Sequence, residues 1–175
     1  FSEVSLSNAM GSDGTLYAVP KDKDTVGLVY NKEMFDAAGV AYPDENWTWD
    51  DLVSASEKIH AATGKYGYMA YADDQLGYWN FVYQAGGYIL NDDKPQAGFT
   101  QPAPEKAMKF YIGLQQNDWC PDQTYFAETA PGTAFFSEKG AMFLEGDWNI
   151  LAELQNYPEM VGKWDVAVLP KCPDP

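Results

Sequence analysis

Glu145 and Asp147 stand two residues apart in the stretch GAMFLEGDWN (140–149), and Trp148 follows at once. Two carboxylates could act as acid and base. An indole ring could offer a flat ledge to a ligand. A strand could also simply turn into a helix here. On a strand the two carboxylates would share a face, because side chains alternate with period two. Gly146 breaks that strand, and Asp147 stands where a helix cap belongs. Glycoside cleavage by paired carboxylates needs them to face each other across a cleft, about 5–10 Å apart. Neighbours on one segment seldom do, so the weight moves to Trp148. In α/β sheets ligands collect where strand C-termini meet helix N-termini, and the free amides of a helix start add donors.

Trp79 has a similar setting, with Asp73, Asp74 and Gln75 in a loop just before it. Flat aromatic faces beside Asp, Asn and Gln are the chemistry of sugar binding. The C–H groups of a pyranose pack on the ring, while carboxylates and amides meet the hydroxyls. Six Trp and twelve Tyr are more than a core of this size demands, and both residue types suit surfaces that are apolar yet need a polar handle. Taken alone, Trp79 and Trp148 could equally be core residues.

Other chemistries find little support. His60 is the only histidine. It falls at the end of an amphipathic helical stretch, where it suits the helix dipole. No Ser-His-Asp set is credible, and a histidine-based metal site is nearly excluded. No GxGxxG, P-loop or HExxH pattern occurs. NDDKP (91–95) lacks the spacing, glycine and terminal Glu of a calcium loop and reads as a solvated turn. Cys120 and Cys172 leave a disulfide and buried thiols both open. The formal net charge of −15, with no basic run, argues against nucleic acid and anionic membranes as partners. No apolar stretch approaches the roughly 20 residues that span a bilayer. The opening FSEVSLSNAM lacks a signal-peptide pattern, which leaves the compartment open.

The elements that must position these residues alternate in type. Residues 1–14 read as loop, TLYAV (15–19) as a short strand, and TVGLVYN (25–31) as a buried strand. Asn31 caps a helix, KEMFDAA, that Gly39 ends. TWDD forms a capping box starting at Thr48, and Leu52, Ala55, Ser56 and Ile59 share one face of that helix up to Gly64. YGYMAYA (66–72) is a strand candidate. GYWNFVYQA (77–85) is a helix stopped by Gly86 and Gly87, and YIL (88–90) a short strand. A helix runs from Pro102 to about residue 117, and PGTAFFSEK holds another. GAMFLEG (140–146) is a strand, Asp147 caps the helix WNILAELQN, and WDVAVLP (164–170) is a last buried strand. The alternation predicts an α/β or α+β layered domain. Buried strands joined to short, loop-like ends suggest a piece of something larger.

Six segments, in order, carry a resemblance: YAVPKDKDTVGLVYNKEMFDAAGV, WTWDDLVSASEKI, YQAGGYILNDD, PAPEKAMKFYIGL, FSEKGAMFLEGDWNI and VAVLP. Together they resemble the extracellular solute-binding proteins of ABC sugar importers, family 1, the maltose-binding-protein-like receptors. Single pieces are weak signals; their order and spacing from about Thr15 to Pro170 are strong. The resemblance implies one lobe of a two-lobed, periplasmic-binding-protein-like (type II) α/β fold, with a mixed sheet flanked by helices. Residues 1–24 would be a hinge-proximal segment from the first lobe, 25–168 the second lobe, and 169–175 the start of the second crossover. A first lobe, and a signal or lipid anchor, would lie outside this chain.

The implied ligand is a neutral mono- or oligosaccharide, the implied partner an ABC permease that reads the closed receptor, and no cofactor is implied. The implied location is outside the cytoplasm, in the periplasm or on the outer face of a bacterial membrane. The implied contacts are Asp24, Asp74, Trp79 and Trp148, with Tyr78 and Asn80 weaker. Gly86 and Gly87 would allow a tight turn beside the cleft, and Asp147 would add a hydroxyl contact to its capping role. Glu145 falls to the background. The two cysteines inherit no family role, and the loop MAYADDQLGY is this chain's own. A glycoside hydrolase using Glu145 or Asp147, or a stand-alone polysaccharide-binding module, is the alternative.

Overall fold

The computed structural model describes residues 1–90 and 96–174, the side chain of Leu151 aside. The turn expected at NDDKP lies outside the described residues. The chain opens on α1 (Glu3–Asn8), where loop was expected. The Ser2 hydroxyl accepts a hydrogen bond from the Ser5 amide at 3.2 Å and starts that short turn. TLYAV forms no strand; Leu16 makes a single bridge to Met10. Its large side chains, Leu16, Tyr17 and Val19, are exposed, so nothing holds the segment in a ladder.

From Thr25 on, local signals and structure agree closely. β1 is Val26–Asn31. The Asn31 carboxamide oxygen accepts from the Met34 amide at 3.1 Å and starts α2 (Lys32–Ala38), which ends on Gly39 in the left-handed conformation. Thr48 opens α3 (Trp49–Thr63) with a complete capping box against Asp51. Two orphan amides at the helix start are satisfied this way. Thr48→Ala should therefore destabilise the fold by about 1 kcal/mol, read as a lower urea midpoint at unchanged slope.

β2 (Tyr66–Tyr68) is shorter than expected. A π-helical turn, Asp74–Tyr78, leads into α4 (Trp79–Gln84). YIL gives only a bridge from Leu90 to Ala97. α5 (Pro102–Leu114) follows, then α6 (Gln123–Glu128), a helix the sequence pattern did not reveal. Phe126 alone is buried in α6, too little to show a period. α7 (Pro131–Phe136), β3 (Gly140–Gly146), α8 (Asp147–Asn156) and β4 (Trp164–Ala167) complete the order. No helix among the described residues is long and apolar enough to cross a membrane.

The sheet runs β2-β3-β1-β4. β1 lies antiparallel to β3 and β4, and β2 lies parallel to β3. The two central strands are buried on both faces, which explains their unbroken apolar runs. Leu28, Tyr30, Met142 and Leu144 face the larger core with α2–α5. Val29 and Phe143 face a second core containing Phe126, Phe135, Phe136 and Met160. β4 was expected to be buried, but it pairs on one side only and Val166 is exposed. Beyond it, the Trp49 amide donates to the Lys171 carbonyl, and the Lys171 amide to the Trp47 carbonyl. This is an α/β domain with a mixed, open sheet flanked by helices.

Candidate functional site

The strand end, the glycine and the helix start at 140–149 form as the sequence predicts, with one correction at the cap. The cap position of α8 is Gly146, and no side chain caps the helix there. Asp147 lies one residue further in, within the first turn, where its charge complements the helix dipole. Its carboxylate accepts from the Thr25 amide at 3.3 Å, and its own amide donates to the Thr25 carbonyl. Asp147 thus ties the start of α8 to the segment entering β1 instead of capping its helix.

That tie brings Asp24 beside Asp147. The carboxyl of Asp24 is pushed up, first by desolvation and then by the charges of Asp22 and Asp147. Trp148 is 39% exposed. Its ring folds back over Gly146 so closely that a Cβ there would overlap the indole. Gly146 is therefore the seat of the ring, and more than a third of Trp148 stays exposed. Asp24, Asp147 and Trp148 form one group.

The 71–80 loop approaches from the neighbouring strand. Asp73 accepts from the Leu76 amide at 2.7 Å and opens the π-helical turn. Asp74 is exposed and accepts from the Gln75 amide at 2.7 Å. Asn80 donates to the carbonyls of Gln75 (2.7 Å) and Gly77 (3.2 Å), so it clamps the loop from within. Tyr78 and Trp79 are half-buried and pack on the larger core, Tyr78 with Phe99 and Tyr111 as ring neighbours. Gly86 and Gly87 sit at the far end of α4. Gly86 takes a left-handed φ of 78°. A Cβ on Gly87 would come within 2.7 Å of the Pro104 ring, so turn and packing account for both.

Glu145, set aside in the sequence reading, is the surprise. It is 6% exposed on a strand otherwise made of apolar residues and glycine. Strand alternation puts it on the face of Phe143, the side of α7 and α8. Its carboxylate accepts from the Gly146 amide at 2.8 Å and from the Asn149 carboxamide at 3.4 Å, both through Oε1. Burial raises its pKa, Gly146 and Asn149 oppose the shift, and the charges of Glu153 and Asp73 add to it. A hollow of about 190 Å³ opens beside it, lined among others by Met69, Leu76, Pro131, Asn149 and Glu153. The signal was present in the alternation: a charge on a core face needs a reason.

A larger hollow, about 540 Å³, borders Asn117, Cys120 and Tyr125 and contains none of the predicted contacts. Cys120 and Cys172 are buried free thiols, and burial pushes Cys120 up to about 12, which makes it inert. His60 pairs through Nδ1 with the Lys65 carbonyl at 2.9 Å, a helix-end role. Among the described residues, no group of His, Cys, Asp or Glu could hold a metal.

Known proteins match this chain along nearly all its length. A family model described as "Bacterial extracellular solute-binding protein" matches residues 3–174. The arabinooligosaccharide-binding protein of Halalkalibacterium halodurans is 27% identical over 172 residues, covering 93% of this chain and 37% of the relative. The lactose-binding protein of Rhizobium radiobacter is 27% identical over 163 residues, covering 93% and 38%. An ABC substrate-binding protein from Listeria monocytogenes in complex with cycloalternan superposes with a TM-score of 0.85 at 25% identity, over 98% of this chain and 43% of that one. A cyclic α-maltosyl-1,6-maltose binding protein from Arthrobacter globiformis gives 0.78 at 27%, over 98% and 43%. The chain spans about 40% of the relatives it matches. With the family model covering almost every residue, the chain belongs to the bacterial extracellular solute-binding proteins.

Proposed function

We propose that this chain is the second lobe of a two-lobed sugar receptor of an ABC importer. It binds a neutral mono- or oligosaccharide and does not cleave it. The observation that carries this reading is Trp148, a partly exposed indole seated on Gly146, at a strand end beside Asp24 and Asp147. The sugar's C–H face stacks on the ring, and the carboxylates accept from its hydroxyls. Asp74, Tyr78 and Trp79, from the 71–80 loop, would add further contacts. Residues 1–24 are a hinge-proximal segment from the first lobe, 25–168 form the second lobe, and 169–175 start the second crossover. Closure of the two lobes around the sugar presents the closed receptor to its permease outside the cytoplasm.

A thermal-shift screen of mono- and oligosaccharides on the full-length protein tests this. A sugar present at about 100 times its dissociation constant should add about 2.7 kcal/mol of stability and raise the melting temperature. If no sugar shifts the transition, the reading fails. Release of reducing sugar over hours would favour a hydrolase instead. Retention on insoluble polysaccharide by this chain alone would favour a stand-alone binding module.

A further inference from the structure

The hollow beside Glu145 lies within this lobe, and the sugar reading does not yet use it. Its volume is about 190 Å³, room for about six waters at the ~30 Å³ each takes in the liquid. That is below the roughly 300–1,000 Å³ of sites that enclose a whole ligand, so it suits one end of a larger molecule. Met69, Leu76, Pro131 and Leu144 supply apolar walls, and Glu145, Asn149 and Glu153 converge as polar groups. No Lys, Arg or His lines it. Tyr71 and Asn149 can donate or accept, but the two carboxylates make the lining rich in acceptors, which suits a ligand with hydroxyls to donate.

Glu145 is the group such donors would meet. The side chain is more than nine-tenths buried. Both of its hydrogen bonds arrive at Oε1, and no described residue donates to Oε2. Gly132, at the start of α7, faces this oxygen: a Cβ there would stand 3.7 Å from Glu145 Oε2 and 3.5 Å from Glu153 Oε1. The absence of a side chain at Gly132 keeps the two carboxylates open to the hollow. Oε2 is not among the fully buried atoms that lack a partner; it opens on the hollow, where a ligand hydroxyl would take the place of water as its donor.

We propose that this hollow is an end pocket for one hydroxyl-bearing edge of the bound sugar, and that Glu145 Oε2 accepts its hydroxyls. Glu145 is then a specificity-determining residue. It selects sugars whose end unit has hydroxyls free to donate over those where that edge is blocked. The inference rests on the sugar reading, but adds a different residue and a different contact from the Trp148 ledge.

Calorimetry on the full-length protein tests it, with lactose, maltotriose and arabinotriose as probes. Wild type, Glu145→Gln and Gly132→Val are compared. The best-binding probe should lose at least tenfold in affinity in both variants, one by weakening the acceptor and the other by filling the hollow. O-methylation of the probe's end unit should weaken binding to wild type and have little effect on Glu145→Gln.

Folding is checked by melting temperature. Because burial raises the Glu145 pKa, the native state binds more protons than the unfolded chain between the ordinary carboxylate range and the raised value. Stability therefore falls as pH rises through that window. Glu145→Gln removes this loss and should melt no lower than wild type at neutral pH. Affinities within twofold of wild type in both variants would overturn the pocket while leaving the sugar reading intact. Failure of every probe, and of every sugar in the thermal screen, to bind wild type would overturn both.

Discussion

Replacing Trp148 with alanine in the full-length protein should lower sugar affinity at least tenfold, a loss of about 1.4 kcal/mol or more. The ring is neither buried in the core nor free on the surface. It rests on Gly146, which has no side chain to hold it off, and it stays partly exposed. Its loss removes the stacking surface while leaving both hydrophobic clusters intact, since neither contains it. The melting temperature without ligand should therefore change little, which separates a binding role from a structural one. Titration calorimetry on wild type and variant reads both parts. An unchanged dissociation constant would remove Trp148 from the site.

Trp49→Ala should have the opposite profile, a loss of about 3–5 kcal/mol in folding stability. Trp49 opens α3 and is 2% exposed. Its ring stacks on Phe110 at 4.5 Å and tilts against Phe81 at 5.5 Å. The indole N–H donates to the Gln84 carboxamide oxygen at 2.6 Å. The Gln84 amide nitrogen is buried without a partner, so truncation would strand the other end of that group as well. The variant thus combines a cavity with an unsatisfied polar group, and the loss should fall toward the upper end of the range. Urea unfolding measures it. A loss below about 1 kcal/mol would mean that this junction of α3, α4 and α5 is loosely packed.

The two tryptophans show what a sequence can and cannot say about such a domain. Both stand in the first turn of a helix, Trp49 after a capping Thr and Trp148 after Gly-Asp. Local rules place both helix starts, because caps, glycines and apolar runs act through neighbours in the chain. Those rules do not say which ring is buried. Trp49 is covered by Phe81 and Phe110, while Trp148 folds over Gly146 and stays 39% exposed. The same limit explains Asp147. Its residue type suits a cap, but its carboxylate finds the Thr25 amide, a partner fixed by the pairing of β1 with β3. TLYAV has strand residues and no partner strand, so it forms none.

The end pocket was hidden for a related reason. Its walls come from the 69–76 loop, the start of α7 and the β3–α8 junction, which are distant in sequence. Alternation puts Glu145 on the face of Phe143, but at a strand end beside a glycine that alone does not say the face is covered. Only the sheet order, with β3 between β2 and β1, turns it inward. The predicted sugar contacts divide in the same way. Asp24 and Trp148 are brought together around Asp147, whereas Gly86 and Gly87 are explained by turn and packing at the other end of α4.

On the proposed function, sugar is held, unchanged, between this lobe and a partner lobe. Calorimetry of the full-length protein with its best sugar from the thermal screen, run beside the 175-residue chain alone, tests this most directly. The predicted result is saturable one-site binding to the full-length protein, the sugar recovered intact, and weak or no binding to the isolated chain. Micromolar affinity in the isolated chain, or recovery of cleaved sugar, would contradict it.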